Sequence, residues 1–180
     1  ASDSHDFLVP VILDIDPATL AIAGDPVKGR NEMTTLLGHG LRARKVREGA
    51  DVCLIGVGKL LGACLDAAER LAAEGIEATV WDPRVVKPLD PAMLDDAAGF
   101  GHVLTAEDGL REGGIGSAIA DELSRRTLGS PRAPRVAVLG TPVAFLAQAK
   151  PDALLAHLGL DGAGIAGAVR DLLAGRPQPA

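Results

Sequence analysis

The stretch Asp51–Ala73 (DVCLIGVGKLLGACLDAAERLAA) dictates more of the fold than any other part of the chain. Asp51–Val57 carries a continuous apolar run, the pattern of a parallel strand buried on both faces. Gly56-Val57-Gly58 then turns the chain. From Leu60 onward apolar residues fall at 60, 61, 64, 65, 68, 71 and 72, with Asp66, Glu69 and Arg70 outside them. That is one face of an amphipathic helix over Leu60–Ala73, and Gly75 is its natural stop. A buried strand that feeds straight into such a helix needs a second parallel strand beside it.

The same unit recurs downstream. Ala78–Trp81 reads as the second strand, stopped at Asp82-Pro83. Asp90 caps a short helix with Pro91 in its first turn, ending near Ala98. His102–Thr105 is the third strand, Ser117–Arg126 a helix, and Arg135–Leu139 the fourth strand. Val143–Ala147 reads as a helical turn, Pro151–Leu158 as a short helix, and Ala163–Ala174 as a final amphipathic one. Alternating strands and helices with short connections predict an α/β fold: a three-layer αβα domain around a mostly parallel sheet. Residues 1–48 differ in texture. Leu8–Ile15 is an apolar run broken by Pro10, close-spaced turn signals follow at Asp16-Pro17 and Gly24-Asp25-Pro26, and Leu41–Val46 reads as an exposed strand or extended linker. We therefore expect a lead-in, or the tail of a preceding domain, over 1–48 and one domain over 49–180.

Charge and composition exclude several classes. The net charge is −6 and aromatics are 2%, which leaves little for a nucleic-acid surface of basic patches and stacking rings. One basic run, Lys28 to Arg47, holds Lys28, Arg30, Arg42, Arg44, Lys45 and Arg47; it reads as a solvated segment or as a phosphate-facing or domain-docking edge. No uninterrupted apolar stretch approaches the roughly 18 residues of a membrane span, and the first residues do not read as a signal peptide. Cys53 and Cys64 sit in apolar patterns and read as small buried hydrophobes, which fits a reducing cytoplasm. His5, His39, His102 and His157 are scattered, so no metal site is expected.

Two glycine-rich segments invite a ligand reading. Gly56-Val57-Gly58 lies where a dinucleotide fingerprint would, but its third glycine position is Leu61. In Val103–Leu123 (VLTAEDGLREGGIGSAIADEL) an apolar strand stops at Glu107-Asp108, a polar loop follows, and Gly113-Gly114-Ile115-Gly116-Ser117 opens a helix. Such a helix start can hold an anion, or it can be a tight turn where a Cβ would clash. Adjacent strand residues point to opposite sides, so Glu107 and Asp108 are not expected to act as a facing acid–base pair. A single carboxylate that orients a loop or a partner is expected instead.

Four ordered segments carry a family resemblance. They are Arg47-Glu48-Gly49-Ala50-Asp51-Val52 with Leu54–Gly58, Val80–Asp90 (VWDPRVVKPLD), Leu104–Ala118, and Leu139-Gly140-Thr141-Pro142 with Phe145 and then Leu154–Leu160. Together these resemble the C-terminal domain of the transketolase-like thiamine-diphosphate enzymes, and among them the 1-deoxy-D-xylulose-5-phosphate synthases. The resemblance runs from about residue 41 to 174. Gln148 stands where the synthases usually carry His. Ala21–Gly29 lacks the Arg that holds the substrate phosphate in their preceding domain. The resemblance implies an enzyme that condenses pyruvate with glyceraldehyde 3-phosphate for isoprenoid precursors. Thiamine diphosphate and Mg²⁺ would be held by domains absent here, and none is expected in this chain. It further implies a structural, dimer-organising domain, inactive alone, partnered by the catalytic domains of the same or a partner chain in a cytoplasmic homodimer. Glu107, Asp108, Gly113, Gly114, Gly116 and Ser117 are then candidates for the domain interface, with no catalytic, cofactor or metal residue. The alternatives are a β-subunit-like piece of a 2-oxoacid dehydrogenase or transketolase, and a small nucleotide-binding α/β module.

Overall fold

The structure, a computed structural model, describes residues 42–176. The run Leu8–Ile15 and most of the basic segment lie outside the described residues. Ten elements follow in order: β1 (Arg44–Arg47), β2 (Val52–Gly56), α1 (Leu60–Ala72), β3 (Ala78–Asp82), α2 (Pro91–Ala98), β4 (His102–Leu110), α3 (Ile115–Arg126), β5 (Arg135–Thr141), α4 (Pro151–His157) and α5 (Gly162–Leu173). The strands form one sheet in the order β1-β3-β2-β4-β5. β1 runs antiparallel to β3, and the other neighbours are parallel.

Every residue of β2 is buried, and the reason is the two-sided core. Val52 and Leu54 pack with Leu60, Leu71, Leu104, Ile165 and Val169 on the side of α1 and α5. Cys53 and Ile55 pack with Trp81, Met93, Val103, Ile119 and Leu123 on the side of α2 and α3. Each large apolar side chain so buried contributes about 1.5–3 kcal/mol. The boundaries follow local chemistry. The Asp90 carboxylate accepts from the Ala92 N–H at 2.9 Å and starts α2 at Pro91. Beyond α1 the chain leaves through Gly75 at φ 81°, a backbone conformation that suits glycine.

Three details differ from the sequence reading. The compact unit begins at Arg42, ahead of the boundary expected at 49, and of the two readings for Leu41–Val46 the exposed strand is the one found, as β1 in the sheet. The basic residues of β1 are clasped by acids: Arg44 by Asp82 at 3.1 Å, Lys45 by Asp96 at 3.0 Å and Arg47 by Glu77 at 2.9 Å. Lys45 also lies 5.4 Å above the Trp81 ring centre, and the indole N–H of Trp81 donates to Asp96 at 2.7 Å. Secondly, β4 continues to Leu110, and α3 begins at Ile115 rather than Ser117. Thirdly, residues 143–147 form no helical turn and leave Val143 and Phe145 exposed. A run of apolar residues marked the first part of β4, but its last part is carried by backbone pairing with β5. There the Arg111 N–H donates to the Thr141 carbonyl at 2.9 Å, and the Thr141 hydroxyl donates to the Gly109 carbonyl at 2.9 Å.

Candidate functional site

The carboxyl ends of the parallel strands gather the residues singled out in Val103–Leu123, at the edge where open α/β sheets meet ligands and partners. Glu107 and Asp108 lie inside β4, not beyond its end. As the alternation of a strand requires, they part. Glu107 is 5% exposed and turns toward α3. Asp108 is exposed and pairs with Lys59, just ahead of α1, at 2.8 Å.

Glu107 is the organising group. Its carboxylate accepts from the Ile115 N–H at 3.1 Å and the Gly116 N–H at 2.8 Å, so it satisfies two of the free donors at the start of α3. The positive end of the helix dipole favours a negative charge there. The glycines make room for it. A Cβ on Gly114 would meet the Glu107 carboxylate and the Leu110 carbonyl. A Cβ on Gly116 would meet the Thr105 hydroxyl and sit 2.7 Å from Val138 Cγ1. Gly113 has no such crowding but adopts φ 74°, so it serves the turn itself. The Ser117 hydroxyl donates to the Arg111 carbonyl at 2.6 Å and closes the loop. Thr105, fully buried beneath Gly116, has a hydroxyl with no hydrogen-bond partner among the described residues.

Of the six residues expected at an interface, the structure thus brings Glu107, Gly114 and Gly116 together under the loop and leaves Asp108 and Gly113 exposed. Ser117 is half-buried. The anion that this helix start can hold is the chain's own. A diphosphate placed there would face the Glu107 carboxylate, so these residues do not fit the thiamine-diphosphate–Mg²⁺ group. Among the described residues no group of three His, Cys, Asp or Glu is placed to hold a metal ion, and no helix is long and apolar enough to cross a membrane.

At the other glycine turn, a Cβ on Gly56 would lie 2.7 Å from Leu61 Cα. The strand-to-helix turn is therefore closed by packing at the position where a dinucleotide fingerprint has its third glycine. Burial pushes the thiols of Cys53 and Cys64 up, that of Cys64 to about 12, so both stay protonated near neutrality. Sequence reasoning missed Lys59, whose charge meets Asp108, and Arg84, which follows β3 with φ 57°, a rare conformation for a residue with a side chain. Neither carries an apolar or glycine signal of its own.

Comparison with known proteins agrees with this architecture. Residues 41–165 match the model of the family described as transketolase, C-terminal domain. A 1-deoxy-D-xylulose-5-phosphate synthase 1 of Kitasatospora griseola is 45% identical over 116 residues, which are 64% of this chain and 17% of that protein. A 1-deoxy-D-xylulose-5-phosphate synthase of Thermobifida fusca is 40% identical over 131 residues, 73% of this chain and 20% of that protein. The chain therefore spans about a fifth of the length of these curated relatives. Among solved structures, a split-gene transketolase described as an inactive beta4 tetramer is 36% identical with a TM-score of 0.66, covering 74% of this chain and 42% of that one. The mostly parallel five-stranded sheet, the glycine-packed start of α3 and the match over 41–165 lead to one assignment: the chain belongs to the transketolase C-terminal domain family.

Proposed function

We propose that this chain is the C-terminal domain of a 1-deoxy-D-xylulose-5-phosphate synthase-like enzyme, which joins pyruvate to glyceraldehyde 3-phosphate with release of CO₂. The observation that carries the reading is identity of 40–45% with proteins named as such synthases, over most of this domain. In this reading the domain is structural and dimer-organising. Thiamine diphosphate and Mg²⁺ belong to the catalytic domains, which act in the cytoplasm as part of a homodimer. The Glu107–Gly116 contact holds the loop 111–114 in one shape. The exposed part of that edge, Asp108 with Lys59 and Gly113, then faces a catalytic domain. Self-association is also in keeping with the description of the similar split-gene transketolase as a tetramer.

The test has two arms. Calorimetry of the purified chain with thiamine diphosphate and Mg²⁺ is expected to give no binding heat. Mixing the chain with a related synthase truncated before its own C-terminal domain is expected to restore CO₂ release from pyruvate and glyceraldehyde 3-phosphate. Tight binding of thiamine diphosphate by the chain alone would overturn the reading, as would a truncated synthase that stays inactive in its presence.

A further inference from the structure

The sheet ends differently on its two sides. β1, four residues long and reading RKVR, is charged, short and clasped by ion pairs, the usual protection of an edge. β5 reads RVAVLGT and has no charge after Arg135 and no proline. Among the described residues it pairs only with β4 in the sheet. The Arg135 N–H donates to the Gly101 carbonyl, and the Thr141 carbonyl accepts from Arg111. Both residues therefore point their backbone groups at β4. Strand alternation then turns the N–H and C=O groups of Val136, Val138 and Gly140 outward, away from the sheet.

We infer that β5 pairs antiparallel with β5 of a second copy of this chain, about a two-fold axis at Val138. This rests on the homodimer reading above and names its surface. The register follows from the outward groups. Centring on Val138 sets Val138 opposite its copy and Val136 opposite Gly140, so all three outward residues exchange both bonds with an outward partner. Charge permits it, since Arg135 falls opposite Thr141 and the two arginines stand at opposite ends of the ribbon. The flanks complement each other too. Leaving β5, each chain presents Val143 and the fully exposed Phe145. Ahead of β5, beside α3, lies a groove of about 250 Å³ lined by Ser124, Leu128, Ala133, Pro134 and Val136, with Leu128 itself 86% exposed. Continued past the strand, the same register sets Val143 against Ala133 and Phe145 against Pro131. The apolar knob of each copy meets the groove of the other, as an isologous interface requires.

Sedimentation of the whole chain, with amide exchange read residue by residue, tests this. A dimer is expected in which the amides of Val136, Val138 and Gly140 are protected alongside those of Ala137 and Leu139. Val138→Pro removes an outward N–H and also the side chain packed near Gly116, whereas Phe145→Asp alters only an exposed side chain; each is expected to weaken dimerisation about tenfold or more. Emission from Trp81, the single tryptophan, reports whether each variant keeps its fold. If Val138→Pro does not, Phe145→Asp and the wild-type exchange pattern decide. A dimer whose three outward amides exchange freely, or whose affinity neither variant changes, overturns the β5 interface and leaves the homodimer reading standing. A strictly monomeric wild type overturns both.

Discussion

Glu107 and Asp108 are neighbours on one strand and have opposite fates. Glu107 is buried and spends its charge on two backbone N–H groups of its own chain. Asp108 is exposed and shares a solvated ion pair with Lys59. A carboxylate at the end of a parallel strand is usually read as chemistry on offer. Here burial separates the two cases: the inner one maintains the loop, and only the outer one is available to a partner. The contrast predicts a descending series of effects on stability, from the packing that surrounds Glu107 out to Asp108.

The sharpest way to break the inner half is at Gly116, the point of closest approach. Gly116→Ala would gain about 1 kcal/mol of helix propensity but push against Thr105 and Val138. Gly116→Val adds two methyl groups to that clash and stiffens the first turn of α3. It is expected to cost about 3 kcal/mol or more, read as a shift in the urea midpoint. A Gly116→Val variant as stable as the wild type would mean that the loop opens freely, and that Glu107 is not held as described.

Glu107→Gln comes next. The amide keeps the shape but has one acceptor oxygen for two donors, and its NH₂ group faces an N–H. One buried donor is left unmet and the helix start loses its counter-charge, which together cost about 2 kcal/mol. Amide exchange at Ile115 and Gly116 should quicken more than exchange in β2. Uniform change across the domain, or none, would show that Glu107 does not act on the start of α3.

Much of this architecture was legible beforehand for a physical reason. A strand covered on both faces must be apolar throughout, so β2 announced itself, and α1 followed from its period. β1 was legible only as one of two readings, exposed strand or linker, because RKVR is polar and its partners lie far along the chain: Arg44 and Asp82 are 38 positions apart. The end of β4 was hidden because Glu107 and Asp108 interrupt the apolar pattern, while the pairing of Leu110 and Arg111 with Thr141 is made by backbone. The split between the two carboxylates was foreseen from alternation alone. The donors that Glu107 serves were less visible, since Gly116 lies nine positions away. The available signal was a glycine pair at 114 and 116 opening a helix with no capping side chain of its own.

Asp108→Asn sharpens the outer half, and its effect on the fold should be the smallest. The pair with Lys59 is about half exposed on both sides, 50% and 41%. Solvent screens such a pair, and ordering two side chains offsets most of its attraction, so its removal is expected to change stability by less than about 1 kcal/mol. The informative readout is elsewhere. If Asp108 faces a catalytic domain, Asp108→Asn should restore a truncated synthase less well than the wild-type chain does, and more so at low salt, where the charge is least screened. Glu107→Gln, once folded, should restore it nearly as well as the wild type. The reverse order, with Asp108→Asn fully competent and folded Glu107→Gln impaired, would return Glu107 to the docking surface and undo the division drawn between the two.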